Sequence, residues 1–512
     1  MQTPDRRTEP DIWFHEYNCY MPATNEPVAT LKETGPPRPD RRRRLLILAI
    51  CCLSLFIVGL DNTIVNVALP AIQRDLHASV SGLQWIIVAY TVVLASLLML
   101  SGSTADRFGR RRTFQTGLAL FTLGSLLCSL APSLGWLVAA RALQAVGGSM
   151  LNPVAMSIIT NTFTDPRERA RAIGVWGGVV GISMALGPVI GGALVDWGTW
   201  QTIFWINIPV GLAALVLCAL FVPESRAPRA RPMDPIGQLL VIVLLAGLTY
   251  GVIEAPSAGW GSGQTIACCG AAALALALLI PYELRRAEPL INPRFFHSVP
   301  FAGATVIAIC AFASLGGFLF LNTLYLQDVL GYSALHAGLL TLPMAGLTVV
   351  CAPLSGRIVG GAGPRVPLIV AGGAMSVSAL ILTGLTADTP TWQLIASYVV
   401  FGLGFGMVNA PITNTAVSGM PSAQAGVAAA VASTSRQIGQ ALGVAVLGSL
   451  VAAAVQGPWR TGFPQASHIG WWICTASGAV VLMLGILTTS RWARRTAEHT
   501  TERLIHRMAG TV

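Results

Sequence analysis

From Leu45 onward the chain alternates long apolar stretches with short polar connections. Fourteen such stretches stand near 45–69, 83–104, 114–132, 135–161, 170–195, 203–222, 236–254, 264–284, 301–325, 337–355, 366–386, 393–415, 426–454 and 468–489. Each is long enough to cross about 30 Å of hydrocarbon as a helix. The pattern predicts an all-α polytopic membrane protein with 14 transmembrane helices. Residues 1–44 are polar, Pro-rich and end in Arg41–Arg44, which reads as a disordered cytoplasmic tail, with Met21 as an alternative start. The first apolar stretch is too long for the core of a secretion signal and no cleavage pattern follows it, so it reads as a span. Residues 491–512 read as a basic cytoplasmic tail.

The pattern repeats. Ala140-Arg141 through Gly147, Gly148 and Asn152 aligns, at one constant offset, with Ser397-Tyr398 through Gly404 and Asn409. Ser101-Gly102 after the second run has its counterpart in Ser355-Gly356 after the tenth. The expected organisation is therefore a six-helix bundle at 45–222, a two-helix insert at 236–284 and a second six-helix bundle at 301–490. Such repeats place a substrate site near the midplane, between the bundles.

Composition excludes the soluble classes. Apolar residues make up 54% of the chain and charged residues 11%, against about 25% charged in soluble domains. Lys32 is the only lysine and stands in the polar tail, so the Gly-Lys pair of a phosphate-binding P-loop is absent. The 10 Cys form no Cys-x-x-Cys, and small buried hydrophobes account for them. No His-Glu-x-x-His or comparable metal constellation occurs, which argues against an enzyme. Nothing calls for a cofactor, a metal or a nucleic acid. With Arg141 and Arg436 inside apolar runs, only Arg74 and Arg460 fall in alternate connections. The short connections on the other side hold Arg107–Arg112, Arg167–Arg171, Arg226–Arg231, Arg285, Arg286, Arg357 and Arg365. That asymmetry places both ends in the cytoplasm.

Four motifs stand in order along the chain. Leu60-Asp61-Asn62-Thr63 opens a signature running to Pro70; Gly102 through Asp106-Arg107, Gly109 and Arg110 fills the connection after the second run. Arg141 through Gln144, Gly147 and Gly148 lies in the fourth run, and Gly187-Pro188 with Gly191-Gly192 in the fifth. A fifth set, Trp200 through Phe204 with Asn207, Pro209 and Gly211, follows in the sixth. Over about residues 45–490 this resembles the major facilitator superfamily, and within it the 14-helix drug:proton antiporters. The resemblance implies proton-coupled efflux of hydrophobic drugs or antibiotics by alternating access across a bacterial inner membrane. It implies Gly187, Pro188, Gly191 and Gly192 as the antiporter motif. It also implies an inner gate at Gly102, Asp106, Arg107, Gly109 and Arg110, with Asp106 tying the halves together when the pump faces outward. A dedicated exporter of an endogenous metabolite, lipid or siderophore is the alternative.

The charges agree with that reading. Asp61 and Arg141 fall at similar depth in the outer half of the bilayer, Arg141 about 9 Å along its helix. An ionised side chain there costs at least ~2.5–3.5 kcal/mol, so it faces a cavity or a partner. Asp61 is expected to carry the proton and Arg141 to tune it; a static structural pair is the plainer alternative. Asn62, Gln144 and Arg436 are expected to line the cavity, Arg436 otherwise being bonded to carbonyls. Asp328 and Glu254 stand at outer helix ends and are expected to be solvated. Gly102 and Gly109 suit a tight reversal. Runs ten to fourteen hold no acid, which favours neutral, anionic or monocationic amphiphiles over dications. The expected partners are a small hydrophobic substrate, protons and the lipid bilayer, for a chain acting as a monomer.

Overall fold

Fifteen helices follow one another in the computed structural model, which describes residues 40–227, 232–286, 288–421 and 424–509. They are α1 (Arg41–Leu76), α2 (Val80–Phe108), α3 (Arg110–Ser129), α4 (Leu134–Thr162), α5 (Pro166–Trp197), α6 (Thr202–Phe221), α7 (Pro235–Ala258) and α8 (Gly263–Arg285). Then come α9 (Val299–Val329), α10 (Ala334–Ala362), α11 (Arg365–Leu382), α12 (Thr391–Val417), α13 (Ala425–Ala454), α14 (Trp459–Thr488) and α15 (Arg491–Ala509). Residues 1–39 of the expected first tail and Cys19 lie outside the described residues. Arg41–Arg44 belong to the first turn of α1 and not to a tail, and Arg44 Nη1 meets Glu168 of α5 at 2.5 Å. The expected basic tail is helical as α15, which lays Ala493, Ala497 and Leu504 inward.

Among the described residues thirteen helices are long and apolar enough to cross a membrane. The run expected at 114–132 is the exception. It forms a helix, α3, of only 20 residues that opens on Arg110, Arg111 and Arg112 with Gln115 following, and Thr113, Thr122, Ser125 and Ser129 are buried on it. Side-chain caps open several helices: Ser79 accepts from Gly82 N, Ser133 from Trp136 N, and Asp165 from Arg167 N and Glu168 N. These oxygens satisfy backbone N–H groups that a helix cannot pair internally.

The same helix pairings recur along the chain. α1 packs on α5 as α9 packs on α13; α3 packs on α4 and α6 as α11 packs on α12 and α14. α2 lies on α4 as α10 lies on α12. Two seams join the early helices to the late ones, α2 against α13 and α5 against α10. α7 and α8 pack on each other, and α7 also rests on α2 and α13. Hydrogen bonds cross the seams at the end away from Asp106. Across the α2–α13 seam Gln84 donates to Val444 O and Ala445 O, both at 2.8 Å, and between α9 and α1 Gln327 donates to Val67 O at 2.8 Å. At the Asp106 end a cavity of about 530 Å³ lies between α2, α4 and the start of α13.

Candidate functional site

Asp61 is wholly buried on α1, and three side chains from two other helices donate to it. Its Oδ2 accepts from Arg141 Nη1 of α4 at 2.5 Å. Its Oδ1 accepts from Gln144 Nε2 of α4 at 2.9 Å and from Asn207 Nδ2 of α6 at 3.1 Å. Ser125 Oγ of α3 accepts from the same two amides, at 2.7 and 3.3 Å. Each donor is thus fixed from a second side, which sets the carboxylate's position.

Arg141 has partners besides the acid. It donates to Gln144 Oε1 at 2.6 Å and, through Nε, to Ile86 O at 3.4 Å. Its guanidinium lies 4.1 Å from the centre of the Tyr90 ring and 5.8 Å from that of Phe204. A guanidinium over an aromatic face is attracted to it, most strongly where water is excluded. If Asp61 took up a proton, Arg141 would keep an amide oxygen, a backbone carbonyl and a π-face. The arrangement can therefore hold an ion pair or, with modest rearrangement, a neutral acid beside a still-solvated cation.

The connection after α2 is tied down locally. Arg110 Nη2 meets Asp106 Oδ1 at 3.1 Å, one turn away across Gly109. Gly109 has φ 110°, the left-handed region that glycine tolerates. The Glu224 carboxylate accepts from Arg111 N at 3.1 Å and Arg112 N at 3.3 Å, capping α3. Gly102 is not part of the turn. It lies inside α2 and lines the cavity, with open space where a β-carbon would stand. Arg107 stacks near Phe108.

The motif of the fifth run faces two neighbours. Gly187 and Gly191 meet Thr63 and Ile64 of α1. Gly192 lies against the backbone of Ala334 and Leu335, and Gly338 against that of Pro188 and Val189, so α5 and α10 touch main chain to main chain. One turn on, Asp196 accepts from Ala334 N at 3.1 Å and Leu335 N at 2.9 Å, closing the first turn of α10.

Of the residues expected in a cavity, Asn62 faces the seam, where its amide exchanges hydrogen bonds with Gln440 of α13 at 3.4 and 3.5 Å. Gln144 is fully buried with Asp61 and does not line a cavity. Arg436 donates to Thr413 Oγ1 at 2.5 Å and Asn409 O at 3.3 Å, which is the carbonyl-bonded arrangement. Two acids expected to be solvated are part-buried: Glu254 accepts from Trp85 Nε1 at 2.7 Å, and Asp328 Oδ2 is buried with no hydrogen-bond partner. The nine described Cys are all free. Trp200 and Trp471 are buried, and Trp200 donates to Asp75 at 2.6 Å.

Ser125 and Tyr90 were not singled out in the sequence, and Asn207 only as part of a motif. Gln144 carried a usable signal, since residues three apart share a helix face and Arg141 precedes it by three. Ser125 carried none beyond being a polar residue in an apolar run.

Residues 51–444 match the sequence model of the Major Facilitator Superfamily. The multidrug resistance protein Stp of Mycobacterium tuberculosis is 38% identical over 412 residues, 80% of this chain and 76% of that protein. The tetracenomycin C resistance and export protein of Streptomyces glaucescens is 40% identical over 423 residues, 82% of this chain and 77% of that one. In three dimensions the chain is similar to a bacterial homologue of the human lysosomal transporter Spinster, in an inward-facing and occupied conformation. The TM-score is 0.63 at 16% identity, covering 90% of this chain and 98% of that one. A likeness that remote shows a shared fold.

Proposed function

The chain belongs to the major facilitator superfamily, a multi-pass membrane transporter family and not an enzyme family, and from that premise we propose that it exports hydrophobic drugs or antibiotics in exchange for protons. Relatives named for multidrug resistance and antibiotic export, at 38–40% identity over most of the chain, support the substrate class. The observation that carries the proton coupling is the Asp61–Arg141 pair, an acid and a base at 0% and 2% exposure. Such a pair stays dry only while its charges balance, so adding a proton to Asp61 must release Arg141 to its other partners.

The rest of the cycle follows from the seams. The Arg distribution puts Asp106 and both chain ends on the cytoplasmic side. The 530 Å³ cavity then opens inward while the α5–α10 seam is shut outside. Asp106 is paired with Arg110 in this inward-open state. On rocking outward it is freed to engage the other half, as the family resemblance implies. The protein works as a monomer in this scheme, because both halves of the gate lie in one chain.

The test is uphill export from proteoliposomes holding the purified protein and a proton gradient. Substrate-dependent proton movement that disappears in Asp61→Asn is the expected result. Drug export that persists when the gradient is collapsed would overturn proton coupling.

A further inference from the structure

The insert carries a second buried acid group that the transport scheme above does not use. Asp234 precedes α7 and caps it, its Oδ1 accepting from Gly237 N at 2.9 Å and from the Tyr282 hydroxyl at 2.9 Å. Arg286 Nε stands 3.4 Å from Asp234 Oδ2. Glu283, near the end of α8, accepts from Leu290 N through Oε2 at 2.8 Å. Asp234 is 4% exposed and Glu283 1%.

Two oxygens are left over. Glu283 Oε1 and Asp234 Oδ2 are both buried and neither accepts a hydrogen bond. They converge on one place: a β-carbon built on Gly237 would stand 2.6 Å from Glu283 Oε1 and 2.7 Å from Asp234 Oδ2. The charged and titratable groups around them are Tyr282 on α8 and Arg286 just past its end, with Glu288 and Arg294 on the segment that follows; Arg294 donates to Leu284 O. Two full carboxylates beside the single guanidinium of Arg286 would leave a net negative charge on buried side chains and one oxygen without a donor. Buried polar atoms rarely go unpaired, and buried charges are normally balanced.

We propose that Asp234 and Glu283 hold one proton between them, as a carboxyl–carboxylate pair at the wall of the inner cavity. The proton sits on Glu283 Oε1 and is donated to Asp234 Oδ2, which removes both orphans and balances Arg286. Asp234 and Leu290 both line the cavity. With the proton in place, Glu283 keeps its hold on Leu290 N and fixes the segment after α8 against α7. Without it, two like charges face each other and that wall loosens. The insert would then carry a proton-binding site separate from Asp61, and the inference stands whichever substrate the protein moves.

Infrared spectroscopy of the full chain in lipid nanodiscs, titrated from neutral to alkaline pH, tests this. A protonated-carboxyl band that is lost on titration, absent in Glu283→Gln and retained in Asp61→Asn is expected. Thermal unfolding gives an independent readout. A proton bound only in the folded protein makes stability fall as pH rises. The wild type should show that fall, and Glu283→Gln should not, since its amide donates to Asp234 at any pH. Should Glu283→Gln fail to fold, Asp234→Asn removes the same band by supplying an amide donor to Glu283. A band untouched by either substitution, or identical pH profiles in wild type and variant, overturns the proposal.

Discussion

Arg141 lies 4.1 Å from the centre of the Tyr90 ring, a partner that takes no proton. The Tyr90 hydroxyl is buried and without a hydrogen-bond partner, so the ring and not the oxygen is what Arg141 uses. Tyr90→Phe should therefore transport about as well as wild type. Tyr90→Leu should lose a cation–π contact of up to about 2 kcal/mol, roughly thirtyfold in the fraction of protein that survives Asp61 protonation. Export rates of both variants in everted vesicles decide it. Equal losses in the two would show that the hydroxyl matters.

Asp61→Asn keeps an oxygen for Gln144 and Asn207 and should fold, but it cannot exchange a proton and should not drive uphill export. Asp61→Ala should be worse for the fold. It leaves Arg141 buried without its counter-charge, a loss of about 3–5 kcal/mol. Thermal stability in detergent separates the two effects, and uphill export by Asp61→Asn would remove Asp61 from the coupling role.

Arg141 uses its nitrogens in several directions at once, toward Asp61, Gln144 and the Ile86 carbonyl. A lysine ammonium is a point charge on a flexible stem and cannot span that set. Arg141→Lys should retain the fold and lose most coupled transport, and Arg141→Ala should lose both. Full proton-driven export by Arg141→Lys would show that charge alone suffices.

Asp196 latches α5 to the first turn of α10. It is exposed, so the latch is worth about 1 kcal/mol and Asp196→Ala should shift the population outward about fivefold. Gly338→Leu, which places a side chain against the Pro188 carbonyl, should force the seam open further. Labelling of single cysteines at the outer mouth, in a Cys-free background, reads both. Unaltered labelling in Gly338→Leu would mean that the seam does not close the outer side.

Asp106 is paired with Arg110 while the cavity is open at its own end. A surface pair of this kind contributes only ~0–1 kcal/mol. Asp106→Asn should thus cost the present state little and the opposite state more, raising the inward-open share. Cysteine labelling at the cavity mouth, around Ser103 and Ser157, should increase. A decrease would place the main role of Asp106 in the inward-open state.

Much of this was legible in the residue pattern. The apolar runs, the repeat and the isolated charges Asp61 and Arg141 follow from the cost of placing polar groups in hydrocarbon, and that cost acts locally along the chain. Partner choice did not show. Asn207 reaches Asp61, and Ser125 the amides beside it, only because α6 and α3 are rotated to face that site, and no single-helix property fixes that rotation. Gln144 is expected in a cavity, yet its place three residues after Arg141 puts it on the face turned to Asp61. Gly102 was assigned to a turn by composition, although α2 runs on through it to Phe108.

α3 opens on Arg110, Arg111 and Arg112, carries Gln115 in its second turn and ends after 20 residues. Its buried face holds Ser125, which steadies the amides around Asp61, beside Thr113, Thr122 and Ser129. During synthesis α3 therefore gains little from leaving the translocon for lipid alone, and its three leading arginines hold its start at the surface. α4 follows after a short connection and covers that polar face. The two enter the bilayer as a hairpin, so a chain cut between Leu130 and Leu134 should leave α3 stranded at the membrane surface.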